Sequence, residues 1–139
     1  MPRLVRGGKW VYGWVTPSLE KELAVPLQAW IDYGFETGEQ AIFLRGSRCS
    51  GGFSISTPRL LAGMFGRIRV SDVRMLGHGR FGEGRSVSTP QELSLEPGVR
   101  LLAVRGSRSG LGFVAQGPIY QTALLHPELE IFCVEESLN

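Results

Sequence analysis

A nine-residue stretch, RGSRCSGGF at 45–53, returns sixty residues later as RGSRSGLGF at 105–113. Extended outward without a gap, residues 36–56 and 96–116 agree at eight of twenty-one positions. Glu36, Gly38, Arg45, Gly46, Ser47, Arg48, Gly52 and Phe53 match Glu96, Gly98, Arg105, Gly106, Ser107, Arg108, Gly112 and Phe113. Pro58 and Pro118 match just beyond. Such a repeat marks an internal duplication, one supersecondary unit written twice. The constraint is severe, because a unit of a few short strands cannot bury its own apolar face. Two copies in one chain are expected to complete a single shared core.

Both copies follow one plan. AIFLR (41–45) and LLAVR (101–105) are short apolar runs of strand length, and FSIS and FVAQ resume after loops rich in Gly and Ser. Each nonapeptide therefore sits at a β-hairpin tip, with ETGE and EPGV as turns before it. Upstream, ELAVP (22–26) and RSVSTP (85–90) read as strands ending at proline. Pro26 lies twelve residues before Gly38, and Pro90 eight before Gly98, a difference of about one helical turn. The first copy thus has room for a helix in PLQAWIDYGF, with Leu27, Trp30, Ile31 and Phe35 expected on its core face and Gly34 near its end. PQELSL in the second copy allows a single turn. KWVYGWV (9–15) and RIRVSDVRML (67–76) are expected as the first strands, the latter with a bulge, and LEIFCVEE as the last strand. Short helical pieces are expected at PRLLAGMF and PIYQTALL. The fold class that follows is mainly β with short helices, residues 1–65 forming one repeat and 66–139 the other.

Composition narrows the classes further. With 42% apolar and 20% charged residues the chain is globular in type, without a membrane-spanning apolar run, and a cytoplasmic location is expected. The net charge of +2 is unevenly spread, residues 41–110 carrying eleven arginines against four acids. An Arg-rich middle points to an anionic partner, since guanidinium forks suit phosphate and carboxylate.

The order of strand, strand ending in a Pro-capped turn, short helix, Gly-Glu or Pro-Gly turn, and hairpin resembles the AbrB/SpoVT-type swapped-hairpin, or looped-hinge helix, family. The motifs that carry it are LAVPLQAWIDYGFETGEQAIFL and RSVSTPQELSLEPGVRLLAV, so the resemblance spans nearly the whole chain as two tandem copies. It implies a pseudo-dimeric, interleaved β-barrel formed by one chain, as a monomer or as half of a homodimer. It also implies a DNA-binding transcriptional regulator that contacts double-stranded DNA through basic residues of the first loop and helix. Here those residues are Arg74, Arg80 and Arg85, with Arg3, Arg6 and Lys9 from the amino end. The first copy offers only Lys21 among several acids.

A second reading is a non-catalytic module that holds a partner protein or a small anionic ligand. Arg45, Ser47, Arg48, Arg105, Ser107 and Arg108 of the two hairpin loops would supply it, through guanidinium groups and free loop amides. The structural alternative is that these arginines pair with Glu36 or Glu96. GHGRFG (77–82) formally matches a dinucleotide fingerprint, but no helix follows it, so a flexible loop holding Arg80 and Arg85 is expected there. His78 and His126 lack partners at metal spacing, and no metal or other cofactor is expected. Cys49 has no visible general base, and Cys133 reads as a buried small hydrophobe. No enzyme activity is expected. Trp10, Tyr12 and Trp14 alternate along the first strand and read as one core face.

Overall fold

The computed structural model describes residues 10–46, 52–64, 75–96, 98–106 and 110–134. Twelve elements succeed one another. The first half holds β1 (Val11–Val15), β2 (Glu22–Ala24), α1 (Leu27–Tyr33), β3 (Gln40–Arg45), β4 (Phe53–Ser56) and α2 (Pro58–Met64). The second holds β5 (Met75–Gly82), β6 (Ser86–Ser88), β7 (Leu101–Arg105), β8 (Leu111–Val114), α3 (Pro118–Ala123) and β9 (Ile131–Phe132). The protein is mainly β: one nine-stranded sheet in the order β2-β6-β5-β3-β4-β8-β7-β1-β9, nearly closed into a barrel.

The order is an approximate palindrome, and the register obeys it. β4 and β8 pair antiparallel with Phe53 opposite Phe113, residues sixty apart. β2 and β6 pair antiparallel with Leu23 opposite Val87, residues sixty-four apart. A pseudo-two-fold axis therefore passes through both pairs, and the four-residue change in offset equals the difference in length between the two Pro-to-Gly connections. The first strand of each half pairs with the third strand of the other: Trp14 opposes Leu102 on β1·β7, and His78 opposes Ile42 on β5·β3. Both pairings slip by one residue at matching places, past Tyr12 in β1 and past Leu76 in β5. Among the described residues the only pairings within a half are β3 with β4, β5 with β6 and β7 with β8, and it takes the other half to join them into one sheet.

Three apolar layers result. The barrel interior gathers Leu23, Phe43, Phe53, Ile55, Phe81, Val87, Leu101, Leu111 and Phe113. α1 closes one mouth of it with Ala29 and Tyr33, and Phe81 is met edge-on by Trp30 and stacked on by Phe35. Leu93 and Leu95, in the shorter connection of the second half, pack on the same interior cluster. Outside the barrel, α2 covers Ile42 and Leu44 with Leu61, and α3 with Leu129 covers Val11, Trp14, Leu102 and Val104. Burial of these side chains at about 1.5–3 kcal/mol each is the main force holding the sheet curved. α1 stops at Gly34, which takes the left-handed conformation, and Arg59 of α2 donates to the freed carbonyls of Tyr33 and Gly34 at 3.3 and 3.0 Å.

The structure corrects several expectations. GHGRFG is not a loop but most of β5, the strand lying between β6 and β3. Its glycines misled because they carry no periodicity; Gly79 is required, since a Cβ there would overlap the Ser88 carbonyl. The strand expected at 67–76 falls mostly outside the described residues, and β5 starts at Met75. On α1, Leu27 and Ile31 face solvent, 51% and 62% exposed, while Ala29 and Tyr33 point inward. The bulge past Tyr12 breaks the expected alternation: Tyr12 enters the barrel, Trp14 packs outside it and Trp10 is exposed. Cys133 is exposed, not buried, because the last strand is only two residues long. Cys49 lies outside the described residues.

Candidate nucleic-acid interface

The two β-turns that flank the β2–β6 pair are built alike from different sequences. Residues 18–21 close through Lys21 N–H donating to the Ser18 carbonyl at 2.9 Å, with the Glu22 amide donating to Ser18 Oγ at 3.0 Å. Residues 82–85 close with Ser86 Oγ donating to the Glu83 carbonyl at 3.0 Å. Each turn ends on a basic residue in the left-handed region, Lys21 at φ 59° and Arg85 at φ 56°, the non-glycine residues of positive φ among those described. The carbonyl of each reaches across the axis, Val25 N–H donating to Arg85 and Thr89 N–H to Lys21. Lys21 and Arg85 are exposed, symmetry-related in the pairing, and each bears a backbone strain of about 1 kcal/mol that glycine would not. Glu20, Glu22 and Glu83 lie in or beside the same turns, so the basic charge is paired points rather than a continuous stripe.

Of the other basic residues expected at a DNA face, Arg80 stands on β5 and donates through Nη1 to the Gly38 carbonyl at 2.6 Å. It holds the turn that follows α1. Arg3, Arg6, Lys9 and Arg74 lie outside the described residues. Lys21 and Arg85 each lie five residues before the matched prolines Pro26 and Pro90, but the acidic neighbours of Lys21 hide the match, and the shared backbone conformation shows only in three dimensions.

The two repeated hairpins point in opposite directions. β4 and β8 are antiparallel, so the tip preceding Phe53 and the tip preceding Leu111 leave the sheet at opposite ends. Arg45 and Arg105 continue the inward-facing rows of β3 and β7 and emerge exposed, and neither forms an ion pair among the described residues. Ser47, Arg48, Ser107 and Arg108 lie outside the described residues. The repeated glycines have a steric cause: a Cβ on Gly46 or on Gly106 would come within 2.7 Å of the carbonyl oxygen of Gly52 or Gly110 across the hairpin.

Beside Arg105 lies a phenol cluster at the mouth closed by α1. Tyr12 donates to Asp32 Oδ2 at 2.8 Å, and Gln28 Nε2 donates to Asp32 Oδ1 at 2.8 Å. Burial, reinforced by the Asp32 bond, holds the Tyr12 phenol well above its ordinary range. Burial likewise pushes Tyr33 up to about 12, opposed by the Gly106 amide and by Arg105. A phenol whose folded pKa is raised binds its proton more tightly when folded. Its contribution is full below pH 10 and disappears as pH rises toward about 12. For Tyr33, with 6% of its surface exposed, the loss is about 2–3 kcal/mol. Urea unfolding midpoints measured from pH 9 to pH 12 should fall accordingly, and Tyr33→Phe should make that fall smaller.

Among the described residues no cluster of His, Cys, Asp and Glu could hold a metal ion. His126 pairs with Glu128 at 2.7 Å in a surface loop, and His78 lies beside Gln40 on the sheet. No described helix is long and apolar enough to cross a membrane.

The fold and the turns together define a class: a nearly closed, pseudo-two-fold β-barrel made by one chain. Comparison with protein-family models and with curated proteins gives no match.

Proposed function

We propose that this chain is a DNA-binding regulator of the AbrB/SpoVT type, in which two tandem copies of one unit make the barrel that two subunits would otherwise share. The observation that carries the reading is the matched pair Lys21 and Arg85, two basic residues kept in the same strained conformation on symmetry-related turns. Duplex DNA has its own local two-fold symmetry, and a protein whose contacts repeat about an axis can meet both strands equivalently. Lys21 and Arg85 would each contact a backbone phosphate, which positions the barrel on DNA without reading sequence. The flanking glutamates keep the affinity modest.

Two phosphate contacts give a salt dependence of roughly tenfold loss in affinity between 50 and 200 mM salt. Fluorescence anisotropy with a labelled duplex at ~50 mM salt should show binding with that slope. The double variant Lys21→Gly/Arg85→Gly should abolish it while gaining about 1 kcal/mol of stability per site, because glycine relieves the left-handed strain. Absence of binding by the natural chain at ~50 mM salt, or full binding by the double variant, would overturn the reading.

A further inference from the structure

The barrel fails to close at one place. In the second half, β5 runs into β6 with Phe81 opposite Val87 and Gly82 opposite Ser86. Sixty-four residues earlier, the position of Phe81, whose N–H donates to the Glu39 carbonyl, is occupied by Pro17, which has no amide to make the matching bond. Beyond the bonds between Ser18 and Glu22, β1 and β2 do not continue as a ladder, and β9 pairs parallel on β1, with Trp14 opposite Ile131. β2 and β9 are left as the two edges of the sheet. Between them lies a cavity of about 500 Å³, walled by Ala24 and Val25 on one side and Phe132 and Val134 on the other, with Glu83 and Arg85 at its rim.

The hydrogen-bond directions along both edges follow from the register. Val25 N–H donates to Arg85 and Thr89 N–H to the Lys21 carbonyl, so Lys21, Leu23 and Val25 turn their backbone groups toward β6. Glu22 and Ala24 turn theirs the other way. Those of Glu22 are taken by Ser18, whereas Ala24 N–H and C=O face the seam with no partner among the described residues. On the opposite edge, Trp14 N–H donates to the Glu130 carbonyl at 2.8 Å, which points Glu130 and Phe132 toward β1. Ile131 and Cys133 then aim their backbone groups into the seam, again without partners among the described residues.

We propose that this seam receives an extended peptide from a partner protein, added as a strand between β2 and β9 over about the three residues that β2 spans. The chemistry of the walls selects a peptide over a compact apolar ligand. A compact ligand would leave backbone donors and acceptors unpaired on both edges, whereas an extended backbone can pair with Ala24 on one side and with Ile131 and Cys133 on the other at once. The Val25, Phe132 and Val134 walls ask for small apolar side chains at alternate positions of the guest. Peptide capture would use the backbone edges of β2 and β9, and DNA the side chains of the exposed turns, with Arg85 standing at the margin of both.

A phage-displayed random heptapeptide library panned on the full chain, with selected peptides then synthesised, tests it. Selected sequences should alternate small apolar with polar residues, and should shift the amide resonances of Ala24, Ile131 and Cys133. Ala24→Pro removes one seam-facing N–H without touching the β2–β6 ladder, and should weaken binding at least tenfold. A second arm leaves the protein unchanged: N-methylation of alternate peptide amides should weaken binding as much. Failure to select any peptide, or equal binding by Ala24→Pro and by the methylated peptides, overturns the proposal. So does peptide binding that appears only after residues 135–139 are deleted, which would assign the seam to the chain's own end. Self-association lost in Ala24→Pro would assign the seam to a second copy and overturn it equally.

Discussion

Gly52→Ala is expected to cost at least about 3 kcal/mol, the upper range for forced overpacking, and to lower the melting temperature by roughly 10 °C. The reason is contact between backbones. A Cβ on Gly52 would overlap the carbonyl of Phe113 on the neighbouring strand, and no rotamer change can move a carbonyl held in a ladder. β4 and β8 would have to part at the centre of the barrel. The symmetry-related change, Gly112→Ala, places its Cβ 3.0 Å from Val104 Cγ2, a side-chain methyl that can yield. It is expected to cost about 1 kcal/mol, near the centre of the distribution for point substitutions. Urea denaturation of the two variants should therefore separate two glycines that stand at the same place in the repeated nonapeptide. Equal losses would mean that β4 and β8 do not approach as described.

Phe53→Ala should be nearly as damaging, at about 3–5 kcal/mol. Phe53 sits on the pseudo-two-fold axis, stacked on Phe113 with ring centroids 5.0 Å apart and touching Phe43 at 5.8 Å. Both members of the pair are at most 4% exposed, so truncation of either leaves a cavity that the surrounding sheet cannot collapse. Because each ring is the other's partner, the double variant should lose less than the sum of the single losses, by about 0.5–1.5 kcal/mol. A thermodynamic cycle of the four proteins measures that term. Strict additivity would place the two rings apart.

Much of this fold was legible in the sequence because its strongest signals are local. Hairpins announced themselves through Gly-rich tips between apolar runs, and the helix after Pro26 through its length and Gly34. The sixty-residue spacing matched Phe53 with Phe113, which the structure pairs across the axis, and the different lengths after Pro26 and Pro90 explain the second offset of sixty-four. The differences between sequence and structure have one physical root: side-chain pattern does not report how closely backbones approach. β5 carries Gly77, Gly79 and Gly82, so it shows no alternation, yet those glycines are what lets its neighbours come close. The bulge past Tyr12 moved Trp14 to the other face of the sheet, which no period-two count could show. On α1 the apolar residues occupy two faces, and the choice between Leu27 with Ile31 and Ala29 with Tyr33 was made by how closely the helix seats on the barrel. The alignment of Pro26 with Pro90 sets Lys21 opposite Arg85, but with one flanked by LE and EL and the other by GEG and SVS, their shared left-handed conformation emerges only when both turns are folded.

Nuclear Overhauser contacts between backbone protons give the most direct test of the interlocked barrel. Cross-strand contacts should link Trp14 with Leu102, Ile42 with His78, Leu23 with Val87 and Phe53 with Phe113, each joining residues before position 65 to residues after it. A spectrum in which β1 instead contacts β3 and β5 contacts β7, with each half closed on itself, would contradict the interlocked fold at its foundation.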